Sequence, residues 1–94
     1  MQTREEYIEK MQQQLDEWNR ELDTLEGRVT TATRPAREKL RDQLDKIRHT
    51  HDTGKAKLEE IQEAGQEGWD ELKGDVNDIW EALRHSINYF RSQL

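Results

Sequence analysis

The stretch WDELKGDVNDIWEALRHSINYF, residues 69 to 90, is two aligned copies of an eleven-residue pattern: Trp69 falls over Trp80, Leu72 over Leu83, Lys73 over Arg84, Val76 over Ile87 and Asn77 over Asn88. A helix turns once in about 3.6 residues, so positions three, four and seven apart share a face. Trp69, Leu72, Val76, Ile79, Trp80, Leu83, Ile87 and Phe90 therefore form one apolar stripe. Three surfaces could cover it: a lipid bilayer, a partner chain, or the rest of this protein.

Reading outward, the same spacing reaches back to the amino end. Apolar residues recur at steps of three and four through Ile8, Met11, Leu15, Trp18, Leu22, Leu25, Val29, Ala32, Ala36, Leu40, Leu44, Ile47, Leu58 and Ile61, with His51, Gly54 and Gly65 occupying seam positions. This is a heptad seam, and consecutive steps of four at 32-36-40, 61-65-69 and 79-83-87 relax its supercoil. Thr3 followed by Glu6 has the spacing of a capping box and marks a helix start. The expected fold is all-α, an antiparallel helical coiled coil in a single domain, residues 1 to 94.

Periodicity alone does not say where the chain turns back. Turns near Pro35 and at Gly65 to Gly68 give a three-helix bundle, whereas one turn at His49 to Gly54 gives a long two-helix hairpin that would dimerise. An interior proline costs about 3 kcal/mol and an interior glycine about 1 kcal/mol. The hairpin leaves Pro35, Gly65, Gly68 and Gly74 inside helices, the bundle only Gly54 and Gly74, so the bundle is preferred. The poor helix formers Thr50 to Gly54 keep the hairpin as the alternative. In the bundle, Met11, Leu58 and Val76 share a layer, as do Leu22, Ile47 and Ile87, and Leu25, Leu44 and Phe90. The expected core and self-association set is Trp18, Leu22, Leu25, Leu44, Ile47, Leu58, Trp69, Leu72, Val76, Ile79, Trp80, Leu83, Ile87 and Phe90, with Trp80 at the edge of the seam.

Composition narrows the function classes. Of 94 residues, 38% are charged and 31% hydrophobic, mean hydropathy is -1.28 and the net charge is -6. Residues 34 to 64 carry eight Lys/Arg against seven Asp/Glu, while the flanking thirds are acidic, so the middle third can lie between them without like-charge repulsion. An acidic chain is a poor nucleic-acid ligand, since phosphate neutralisation supplies most of that affinity. The absence of cysteine excludes disulfides and thiolate metal sites and fits a reducing cytoplasm, the expected location. There is no nucleophile elbow or glycine-rich phosphate loop, and paired acids such as Glu5 with Glu6 read as solvated heptad positions. The pairs Glu6 with Lys10, Asp16 with Arg20 and Asp42 with Lys46 have helical salt-bridge spacing. No catalytic, cofactor-binding or metal-binding residue, no cofactor and no small-molecule substrate is expected. His49 and His51 miss the i, i+4 spacing of a helical metal site, and His51 reads as a partly exposed or turn histidine; the alternative, a neutral His51 buried in the seam, would make stability mildly pH-sensitive.

Three stretches, TREEYIEKMQQQLDEWNREL at 3 to 22, AKLEEIQEAG at 56 to 65 and GWDELKGDVNDIWEAL at 68 to 83, resemble a bacterial family of small cysteine-free coiled-coil proteins of cyanobacterial type, commonly labelled stress-response proteins. Tyr7, Trp18, Trp69 and Trp80 carry the likeness, and TRPA at 33 to 36 and RHTHDTG at 48 to 54 depart from it. The resemblance implies a stress association and supplies no enzymatic activity or ligand residues. The expectation is a non-enzymatic interaction or structural protein that self-associates, as a dimer, through its apolar seam or meets another helical protein. The alternative is reversible binding of a lipid surface by helix 69 to 90, against which the acidic excess of that third counts.

Overall fold

The computed structural model describes residues 3 to 94 and contains three helices: α1 (Arg4–Val29), α2 (Arg34–Glu63) and α3 (Gly68–Ser92). They pack as an all-α antiparallel bundle extending 50 × 18 × 17 Å. The seam is spent inside the chain. Tyr7, Met11, Leu15, Leu22, Leu25 and Val29 of α1 meet Leu40, Leu44, Ile47, Leu58 and Ile61 of α2 and Trp69, Val76, Trp80, Leu83, Ile87 and Phe90 of α3 in one buried cluster.

Each boundary has a local cause. The Thr3 hydroxyl accepts the Glu6 backbone N–H at 3.2 Å and opens α1. At its other end the Thr30 and Thr31 hydroxyls donate to the Gly27 and Arg28 carbonyls at 2.7 and 2.8 Å, and the Arg28 carbonyl also accepts the Thr31 N–H at 3.2 Å, so the last turn is closed by side chain and backbone together. Pro35 is the second residue of α2, where its missing N–H costs no helical bond. The turn at 64 to 67 closes through the Gly65 carbonyl, which accepts the Gly68 and Trp69 N–H groups at 3.1 and 3.3 Å. Arg4 clamps this turn by donating to the Ala64 carbonyl. Gly65 and Gly68 do this without entering left-handed backbone space.

The two-helix alternative fails at its own turn, because α2 runs unbroken through His49 to Gly54. Thr50 and Thr53 survive inside a helix by donating their hydroxyls to the Lys46 and His49 carbonyls four residues back, each at 3.1 Å. Gly54 is buried there for a reason at long range. A Cβ at this position would lie 2.8 Å from Cζ3 of the Trp80 ring and 3.2 Å from Cγ2 of Ile79. The glycine is a notch in α2 that receives an indole from α3, and the pair fixes the register of these helices.

Candidate functional site

The residues expected to form the core and any self-association surface fall in two groups. Leu22, Leu25, Leu44, Ile47, Leu58, Trp69, Val76, Trp80, Leu83, Ile87 and Phe90 are buried, and Trp18, Leu72 and Ile79 are half-buried against them. Trp80, expected at the edge of the seam, is only 2% exposed. Its ring lies 6.4 Å from that of Trp18, tilted by 56°, in an arrangement favourable for aromatic quadrupoles. Its indole N–H is enclosed without an acceptor, so shape rather than hydrogen bonding holds the side chain. The surface that covers the eleven-residue repeat is therefore α1 and α2. Among the described residues Tyr89, 61% exposed, is the large hydrophobic left outside.

A second aromatic cluster joins α1 to α3 near the end of the bundle where both helices begin. Tyr7 and Trp69 lie 5.8 Å apart, and the Lys73 ammonium stands 5.4 Å from both ring centres, a cation–π arrangement. The Tyr7 hydroxyl donates to Asn77 Oδ1 at 2.7 Å, and burial pushes its pKa up to about 12. Asn77 is thus a polar anchor of the α1–α3 contact. Its recurrence within the repeat was visible in the sequence, but its partner lies seventy residues away and was not.

Between α1 and α2 runs an open groove of about 510 Å³, lined by Leu15, Asp16, His51, Asp52, Lys55 and Glu59 among others. His51 is half-buried, and its Nε2 sits 2.9 Å from the Leu15 carbonyl oxygen, so that nitrogen carries the proton and donates. His51 is thus a partly exposed histidine tied to the α1 backbone, not one sealed in the seam. No group of three or more His, Asp and Glu able to hold a metal occurs among the described residues.

The ion pairs differ from the expected set. Among the described residues Glu6 with Lys10, Asp16 with Arg20 and Asp42 with Lys46 form no salt bridge. Arg48 of α2 instead reaches Asp23 and Glu26 of α1 at 2.9 and 3.1 Å, and Arg91 of α3 pairs with Glu21 of α1. The hydrogen bond to Asp23 and the charge of Glu26 hold the Arg48 pKa above its ordinary range. These arginines stitch helices together and are committed to structure.

Among the described residues no helix is long and apolar enough to cross a membrane. No protein-family model, curated protein or solved structure matches this chain.

Proposed function

We propose that the protein works without catalysis, as a stress-associated helical interaction or structural module of the cytoplasm, with a second copy of itself or another helical protein as partner. One observation carries this reading. The chain's own helices cover the apolar seam, including the 69 to 90 stripe, so what is offered to a partner is a densely charged helical exterior. Self-association, expected of the seam, then has to use that exterior.

The lipid-surface alternative requires α3 to leave the bundle, withdrawing Trp69, Trp80 and Phe90 from the core. A direct test has two arms. The purified protein, mixed with a heat-labile reporter enzyme, should lower the light scattering of the heated mixture more than an equal mass of an inert protein does. Equal scattering removes the stress-associated reading. Added anionic vesicles should leave tryptophan emission unchanged, and a blue shift would replace the proposal with the lipid reading.

A further inference from the structure

The two ends of the bundle carry opposite charge. Residues 3 to 9 and 59 to 71 meet at one end, where α1 and α3 begin and α2 stops, and contain nine Asp/Glu and one basic residue, Arg4. Residues 27 to 41 and 91 to 94 form the other end, with six Lys/Arg and a single acidic side chain, Glu38. All nine acids are exposed, as are Arg28, Arg34, Lys39, Arg41 and Arg91, and Arg37 is half-buried. Part of this charge is paired within the chain: Glu38 reaches Arg34 at 3.8 Å, Arg91 pairs with Glu21, Arg4 with Glu5 at 3.3 Å and Lys57 with Glu60 at 3.4 Å, whereas Arg28, Arg37, Lys39 and Arg41 form no salt bridge among the described residues.

Folding stability does not account for this pattern. The helix dipole favours acids in the first turn and bases in the last. The helices α1 and α3 obey, with Glu5 and Glu6, then Asp70 and Glu71, at their starts and Arg28 and Arg91 at their ends. The central helix α2 disobeys at both ends. Its first turn has no acid and holds Arg34 and Arg37, while its last has no base and holds Glu60 and Glu63. Because α2 runs antiparallel to its neighbours, this reversal is what gives each end of the bundle one sign. It sets α2 against its own dipole and crowds like charges together, two costs that the exposed pairs Arg34–Glu38 and Lys57–Glu60 offset only in part.

We infer that copies of this chain associate end to end, the arginine-rich end of one bundle seated on the acidic end of the next. Each chain carries both complementary surfaces, so the contact is heterologous and the stack is open, with a repeat near the 50 Å bundle length. Attraction between exposed charges is screened by salt, so assembly is strong only at low ionic strength. The inference rests on the proposal that the protein self-associates and specifies how.

Sedimentation of the full chain over a range of concentrations tests it, in about 10 mM salt, where charges reach about 30 Å, and in about 1 M, where they reach about 3 Å. The average mass should climb with concentration in the first buffer and return to the monomer in the second. The variant Arg34→Glu with Arg37→Glu and Arg41→Glu should associate at least tenfold more weakly, while lysine at the same positions retains assembly. The reversal aligns α2 with its dipole while giving up the Arg34–Glu38 pair, two opposed effects, so this variant should melt close to the parent. With an acidic surface at both ends, it should also act as a chain terminator, shortening parental stacks when added in small amounts. A parent that stays monomeric at low salt overturns both the inference and self-association itself. Association unaffected by salt or by the arginine reversal overturns only the end-to-end arrangement.

Discussion

Gly54 provides the sharpest test of the packing, because one methyl group sets two known effects against each other. Replacing an interior helical glycine with alanine stabilises by about 1 kcal/mol through propensity. At Gly54 the new Cβ would lie 2.8 Å from Trp80 Cζ3 and 3.3 Å from Cη2. The indole cannot swing away freely, since it is 2% exposed and tilted against Trp18. Overpacking of this kind costs about 1 to 3 kcal/mol. Gly54→Ala should therefore lose about 1 kcal/mol net, a fall of about 4 to 8 °C in Tm for a domain of this size. Gly74 is the internal control: it lies within α3, and a Cβ there meets nothing within 4 Å. Gly74→Ala should gain about 0.5 to 1 kcal/mol from the same chemical change. Thermal and urea denaturation of both variants gives the comparison. In a Trp80→Phe background the smaller ring vacates the notch, and Gly54→Ala should become stabilising, a coupling of about 1 to 3 kcal/mol. If Gly54→Ala raised Tm as Gly74→Ala does, Trp80 would not occupy the notch.

Other perturbations probe other links. Leu25→Asp places an unpaired charge in the core and should cost several kcal/mol, about 3 or more, by urea denaturation; Leu25 is 3% exposed. Pro35→Ala should change stability by less than about 1 kcal/mol, because Pro35 stands in the first turn of α2. The Tyr7 hydroxyl has a folded pKa of about 12 against an ordinary 10.0, so the fold favours the neutral phenol. Its contribution to stability is complete below the unfolded value and is lost as pH rises through the folded one. In Tyr89→Phe, which leaves Tyr7 as the one phenol, phenolate absorbance should appear near pH 12 and coincide with loss of stability, and Tyr7→Phe should flatten that alkaline decline.

What the sequence revealed was phase; what it hid was distance. The steps of three and four that pass through Leu22, Leu44 and Ile87 follow from helix geometry, and all three residues are buried. The boundary at Pro35 was equally legible, because the fixed φ of proline is a local property. The run Thr50 to Gly54 misled because its propensities describe a turn, whereas in the fold it is helical and its Gly54 packs against Trp80, twenty-six residues downstream. Local propensity cannot contain that information. Gly54 nevertheless stood at a seam position, where a missing side chain opposite a tryptophan was the available clue. The site was less legible than the fold, since Tyr7 with Asn77, Arg48 with Glu26, and the opposed ends of the bundle emerge only when distant segments are brought side by side.

Small-angle scattering in high salt, where end-to-end contacts are screened, tests most directly whether the apolar seam closes on itself within one chain. A monomer whose longest dimension is near 50 Å, with a radius of gyration close to the 15.2 Å of its Cα trace, is the predicted result. A rod of about 65 to 70 Å, the length of two helices of some forty-five residues at about 1.5 Å per residue, would contradict it.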